Sequence, residues 1–382
     1  MFLGMANSTN SPLYSIFILS VLLFLLMTSL VISASADPGS EPDPKAPSNS
    51  VSAIFVFGDS TSDPGNNNYV TTPFKSNFSP YGRDFPNRIA TGRFTNGRLA
   101  ADFIASYVGV KELVPPYLDD SLSVDELLTG VSFASAGSGY DPLTPRLSGV
   151  ISMSTQLDYF KEYKTRVETI MGEEQAMEHI HKALFLISAG TNDFVVNYYT
   201  VPLRRRMYTV SQYQQFLLQN VHEFVKGLWE LGARKIGVVG LPPIGCLPMV
   251  ITLKSDNSVS QRGCIESLSS VARDYNQLLE TRLFDLQLML QDCVTKIVYV
   301  DAYSAMADMV HGTGNFNYSF EQVSSGCCGT GYLEASFLCN RASYVCRDAS
   351  KYMFWDSIHP TEMTYYLLFR NLTPVIDYVT KN

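Results

Sequence analysis

The sequence predicts an α/β fold in which a parallel sheet is covered by helices on both faces. Two observations carry that reading. Short apolar runs without strict alternation recur along the chain, as expected of strands buried on both faces, and amphipathic helical patterns separate them. The 382 residues are 46% hydrophobic, ample for a large core, which excludes a disordered, collagen-like or small disulfide-framework protein. No internal repeat is visible, and no second linker follows Ser50, so residues 51–382 read as one domain.

The elements follow in order. Residues 1–36 carry no charged side chain, and Ile16 to Ile32 is apolar except for Ser20, Thr28 and Ser29. Ala34-Ser35-Ala36 then supplies a small-x-small site, so 1–36 reads as a signal peptide despite an n-region without Lys or Arg. The apolar run is shorter than the ~20 residues of a comfortable membrane span. Cleavage leaves no stable membrane anchor. Residues 37–50 hold four prolines and no apolar periodicity, the pattern of a flexible linker. Strands are expected at Ser52–Phe57, Gly130–Phe133, Ala183–Ser188, Lys235–Val239 and Lys296–Val300, five in all. Helices are expected at Arg98–Val108, Ser211–Leu231, Cys264–Leu290 and Thr361–Leu372. In the second of these Tyr213, Leu217, Val221, Phe224 and Leu228 share one face, and Gly232 stops it.

Charge and cysteine usage narrow the setting. Lys and Arg number 28 against 36 Asp and Glu, a net charge of −8, which leaves no electrostatic footprint for nucleic acid or an anionic membrane. Arg204-Arg205-Arg206 is a lone basic cluster and reads as a solvated loop. Asn77, Asn317 and Asn371 each open an Asn-x-Ser/Thr triplet, an N-glycan acceptor in a secreted chain. Four of the seven cysteines fall between Cys327 and Cys346, where an oxidising compartment would staple a loop. The others are Cys246, Cys264 and Cys293; an odd total leaves at least one thiol without an internal partner, and the connectivity stays open, with Cys246–Cys264 and bridges inside the 327–346 cluster as candidates. The spacing lacks the paired C-x-x-C and nearby His of a zinc site.

Ligands of such sheets bind beyond the carboxyl ends of the strands. Four polar turns stand there: Gly58-Asp59-Ser60 in GDSTSDPGNNN, Ala134-Ser135-Ala136-Gly137, Ala189-Gly190-Thr191-Asn192-Asp193, and Asp356-Ser357-Ile358-His359-Pro360. Ser60, on a tight turn leaving a buried strand, is the nucleophile candidate. His359 is the base candidate; Asp356, three residues earlier, can hold its Nδ1–H and present Nε2 to a serine. Gly137 can offer a backbone N–H and Asn192 a side-chain amide to a developing oxyanion. Asp59, Asp63 and Asp193 read as hydrogen-bonding supports of the turns.

Together these blocks resemble the GDSL-type members of the SGNH serine hydrolases, most closely the plant GDSL esterase/lipase group. GDSTSDPGNNN, FASAG, GTND and DSIHP stand in that family's order, and LPPIGCLP, GCCGTG and FLCN are similar to further plant-group signatures. The resemblance covers essentially residues 51–382. It implies a three-layer α/β/α sandwich on a five-stranded parallel sheet, with Ser60 as nucleophile, His359 as base, Asp356 orienting it, and Ser60 N–H, Gly137 N–H and Asn192 as the oxyanion hole. It implies no cofactor and no metal, and carboxylic esters as substrates, from acyl lipids to cell-wall esters. Thr61 replaces the leucine of the GDSL signature, Pro64 follows Asp63 where the family often has Thr, and Ser132 stands where many members have Asn.

The expectation is a secreted, extracellular serine esterase. The same machinery would serve an acyltransferase, or persist in an idle carbohydrate- or lipid-binding protein. G-x-S-x-G is absent, which argues against an ordinary α/β-hydrolase lipase. A metal-dependent phosphoesterase would need several ligating histidines, and His179 and His181 diverge at i and i+2.

Overall fold

The structure, a computed structural model, describes residues 51–381 apart from 259–260, 291 and 315–317. The expected leader (1–36), the linker (37–50) and Asn317 lie outside the described residues.

Four of the apolar runs form a parallel sheet: β1 Ile54–Gly58, β2 Leu184–Ser188, β3 Lys235–Val239 and β4 Lys296–Val300, side by side in that order. The register aligns Val56, Leu186, Gly237 and Val298 across the sheet. Because side chains alternate, Phe55, Phe57, Phe185, Ile187, Ile236 and Val238 all point to one face. The main helices are α1 Ala100–Tyr107, α2 Met153–Met171, α3 Glu173–Lys182, α4 Val210–Glu230, α5 Glu266–Leu290, α6 Ala302–His311 and α7 Glu362–Thr380. The aromatic face is covered by α2, α4 and α5: Phe55 meets Phe160 at 5.3 Å between ring centroids, and Phe57 meets Phe224 at 5.6 Å. The other face is covered by α1, α6 and α7, with Phe103 of α1 stacked on Phe369 of α7. The three-layer α/β/α arrangement is therefore as expected.

The strand count is not. Gly130–Phe133, expected as a fifth strand, is a hydrogen-bonded edge segment. Val56 N donates to Val131 O (3.1 Å) and Phe133 N to Val56 O (2.7 Å), but the ladder there consists of isolated bridges from Ser132 to Val56 and to Pro116. The reason is local. On its outer side the segment meets Pro115 and Pro116, which have no N–H to extend a ladder. Its side-chain hydroxyl at Ser132 turns back to Ser62 O. With this segment counted, the spatial order is edge segment, β1, β2, β3, β4. The chain direction across the sheet thus reverses between β1 and β2, which is the topological switch point where such sheets bind ligands.

Helix boundaries follow capping chemistry more closely than apolar periodicity. Thr209 and Gln212 form a capping box at the start of α4, and Gly232, at φ +112°, follows its end. The closing helix was expected to stop at Leu372, ahead of Pro374, yet α7 continues to Thr380. Pro374 removes one backbone donor, at roughly 3 kcal/mol. Leu372, Ile376 and Val379 are each buried on the same face, and burial worth about 1.5–3 kcal/mol per large side chain outweighs that loss. Helices α2 and α6 were not anticipated, and of α3 only the segment His179–His181 was read as helical. Among the described residues no helix is long and apolar enough to cross a membrane.

A second, smaller core sits over the carboxyl end of the sheet, built from Tyr81, Phe94, Ala136, Trp355 and four cysteines. Disulfides join Cys327 to Cys346 and Cys328 to Cys339; a third joins Cys246 to Cys264, and Cys293 is free and exposed. Beside this core β5 Gln322–Gly326 pairs in parallel with β6 Tyr352–Phe354. The basic cluster 204–206 is not simply solvated: Arg204 forks onto the buried carboxylate of Asp141, with both contacts at 2.6 Å.

Candidate active site

Gly58 ends β1 at φ +136°, and a Cβ there would lie 1.8 Å from Ser188 O, so only glycine lets β1 turn this close to β2. Its peptide is gripped by the Gln156 amide, which accepts from Gly58 N (2.8 Å) and donates to Gly58 O (2.9 Å). The next carboxylate, Asp59, accepts from Thr61 N (3.0 Å) and Thr61 Oγ1 (2.9 Å), which closes the turn around Ser60. The serine is thereby held at the sheet's carboxyl edge.

From the far end of the chain, β6 runs into a second tight turn. Asp356 Oδ1 accepts from Ile358 N (2.9 Å) and His359 N (2.8 Å), so the carboxylate itself shapes the loop that carries the histidine. The imidazole is placed between two partners: Nδ1 lies 2.7 Å from Asp356 Oδ2 and Nε2 lies 2.8 Å from Ser60 Oγ. Phe94 packs against the ring at 4.9 Å. All three groups are buried, Asp356 completely, which strengthens their mutual electrostatics. Residues 299 positions apart in sequence thus meet in one hydrogen-bonded chain.

Gly137 sits at φ +88° beyond the edge segment, and Asn192 follows β2. The Asn192 amide donates to Ser138 O (3.0 Å), which ties these two corners together. Among the described residues no protein group accepts a hydrogen bond from Ser60 N or Gly137 N. Ser60 and Asn192 line one cavity. Asp63 and Asp193 are turn supports, as read from the sequence. Asp63 accepts from Gly65, Asn66 and Ala136 N–H; Asp193 accepts from Tyr140 and Asp141 N–H and from Thr144 Oγ1. Burial pushes Asp193 up to about 7 against those donors, and Asp63 up to about 6.

Several supports escaped the sequence reading. Tyr81 is buried, and its hydroxyl donates to Asp356 Oδ2 (2.7 Å) while accepting from Ser336 N (2.8 Å). Gln156 lies 98 residues from the glycine it grips, beyond any local signal. Asn66 and Asn67 donate to the carbonyls of Ser132, Ala134 and Ala136, so the asparagine run anchors the edge segment. The run itself was the available cue.

A Ser–His–Asp hydrogen-bonded chain on a tight turn at the switch point of a three-layer α/β/α sheet is the arrangement that nucleophilic acyl transfer needs. Residues 54–372 match the GDSL-like Lipase/Acylhydrolase family. A GDSL esterase/lipase of Arabidopsis thaliana is 58% identical over 338 residues, 88% of this chain and 89% of the relative. Another from the same plant is 45% identical over 327 residues, 86% of this chain and 89% of the relative. A solved lipase from a goat rumen metagenome superposes with a TM-score of 0.36 at 12% identity, covering 85% of this chain and 97% of that one, too distant to bear on the chemistry. The chain belongs to the GDSL-like lipase/acylhydrolase family, and it is a carboxylic ester hydrolase.

Proposed function

We propose that the chain is a secreted serine esterase that works through an acyl-enzyme on Ser60. The observation that carries this reading is the 2.8 Å contact between Ser60 Oγ and His359 Nε2, backed by Asp356 at 2.7 Å from Nδ1. In the cycle, His359 Nε2 takes the Ser60 proton as Oγ adds to the ester carbonyl. The oxyanion formed is received by Ser60 N–H, Gly137 N–H and the Asn192 amide, donors typically worth ~10²–10³ in rate each. His359 returns the proton to the departing alkoxide, which leaves as the alcohol, and the acyl group stays on Ser60. Water, deprotonated by His359, then adds to that acyl carbon, and collapse releases the acid and restores the serine.

Three disulfides, and exposed acceptor asparagines at Asn77 and Asn371, support passage through an oxidising compartment. Acyl lipids and cell-wall esters are the substrate classes that follow from family membership. Ser60→Ala should lower turnover of an aryl ester by about 10⁶, on the scale of other triad serines. Retention of near-wild-type turnover, or failure of the native protein to be labelled by a serine-reactive fluorophosphonate, overturns the assignment.

A further inference from the structure

The two faces of the sheet are not packed alike. On the aromatic face Phe55, Phe57, Phe185, Ile187, Ile236 and Val238 are 0% exposed. On the face under α7, Leu186, Val239 and Val298 keep partial exposure although they lie on neighbouring strands in the middle of the molecule. Interiors are otherwise close-packed, so this exposure marks a void. It is an apolar cavity of about 140 Å³ between the sheet and the closing helix. Its walls include Leu186 and Val298 from the sheet and Leu368, Leu372, Val375 and Val379 from α7.

One end of the cavity is lined by Ser60 and Asn192. From there it follows α7 from Tyr365 to Val379, a distance of about 21 Å at the helical rise per residue. Two sequence features widen it. Gly237 occupies the centre of β3, where glycine weakens a strand and commonly marks a close approach to something else. A Cβ there would stand 3.3 Å from Val300 Cγ2 and 3.5 Å from Leu186 Cδ2, so any longer side chain must project into the cavity. Thr61 stands at the nucleophile end in place of the signature leucine. Its hydroxyl is held by Asp59 Oδ1 and Ser188 Oγ, both at 2.9 Å.

We propose that this cavity is the acyl-chain site of the enzyme, an internal slot that accepts esters of unbranched acids of about six to eight carbons. The size follows from comparison: an apolar protein cavity of about 150 Å³ takes benzene, six carbons. The chemistry follows from the lining, which offers methyl and methylene groups to a tail and no charge along the α7 wall. An empty void of this volume destabilises the fold, and a hydrocarbon tail fills it. The inference rests on the acyl-enzyme reading of Ser60, which puts the acyl carbon at the mouth.

The test is a series of p-nitrophenyl esters from acetate to dodecanoate, with Gly237→Leu and Val375→Phe filling the slot from the sheet and from α7. Each buried methylene is worth roughly fourfold in kcat/KM, so octanoate, with six more than acetate, should exceed it by up to about 4,000-fold in the wild type. In each folded variant, checked by its melting temperature, the octanoate-to-acetate ratio should fall at least about tenfold. An optimum at acetate, or a ratio untouched in both variants, overturns the proposal. A binding measurement separates it from the esterase reading: Ser60→Ala protein should take up octanoate and not acetate in calorimetry. Absence of all ester turnover would sink the esterase reading, and octanoate binding would still decide the slot. No octanoate binding to Ser60→Ala refutes it.

Discussion

Asp356 gathers more hydrogen bonds than a histidine's orienting partner requires. Two backbone N–H groups reach its Oδ1, and the His359 ring and the Tyr81 hydroxyl reach its Oδ2. Four donors leave the carboxylate no rotamer but this one, and through it the imidazole has none but the one facing Ser60. In the proposed cycle Tyr81 therefore serves as a positioning residue at one remove from the reacting atoms. Replacing it by Phe deletes the bond to Asp356 and leaves Ser336 N–H unpaired in a buried place, at about 1–3 kcal/mol. Tyr81→Phe should lower kcat on an aryl ester by roughly tenfold, within the usual range for a supporting hydrogen bond near a catalytic group, with KM little changed. A kcat equal to wild type would show that the two backbone donors alone suffice.

At the scale of elements, the site is assembled where loops cover the carboxyl ends of strands. The segment carrying Cys327 and Cys328 hydrogen-bonds directly to the approach of the Asp356 turn: Cys327 N donates to Phe354 O (3.0 Å) and Cys328 N to Trp355 O (2.8 Å). Glu334 O accepts from Ser357 N (2.8 Å), and Ser336 supplies the N–H that holds Tyr81. The Cys328–Cys339 bridge, between cysteines 11 positions apart, closes the loop that contains Glu334 and Ser336. Loops of that order contribute about 3 kcal/mol when closed by a disulfide. The double change Cys328→Ala with Cys339→Ala should cost roughly that much in chemical denaturation. Turnover should fall with it, because the loop that bears Ser336 loses its staple. Unchanged stability together with unchanged turnover would mean that the second core holds the loop unaided.

For the whole molecule, burial under three layers makes some carboxyls respond to pH outside their ordinary range. Asp193 is pushed up to about 7, chiefly by burial, from an ordinary 3.8. Below about pH 4 both folded and unfolded chains keep its proton. Between about 4 and 7 the folded chain keeps what the unfolded chain has released, so this group's contribution to stability declines as pH rises and levels off above 7. Asp193→Asn removes that titration. The unfolding free energy of the variant should vary less steeply than wild type between pH 4.5 and 7 in urea titrations, by up to about 1.4 kcal/mol per pH unit. Parallel curves for the two proteins would show that Asp193 is ionised throughout.

Short-range chemistry specifies part of this molecule before any folding is considered. The strands at Val56, Leu186 and Val238 declared themselves as apolar runs, Gly232 marked the end of α4, and the spacing of Asp356 from His359 already put a carboxylate beside an imidazole. Ser60 stood out as a nucleophile candidate only as one of a set: a Gly-Asp-Ser turn alone is more often an ordinary turn or helix cap, and it was the three further polar turns in a recognisable order that singled it out. Tertiary structure decided the rest. Whether Gly130–Phe133 would complete a ladder depended on which residues lay alongside, and these proved to be Pro115 and Pro116. Whether α7 would outlast Pro374 depended on what Leu372, Ile376 and Val379 could be buried against. Tyr81 and Gln156 became supports, and Gly237 a wall of a cavity, only once residues tens to hundreds of positions apart were brought together. Periodicity and turn chemistry act over a few residues along the chain; packing and hydrogen bonding act on whatever the fold makes adjacent, and no local pattern encodes that adjacency.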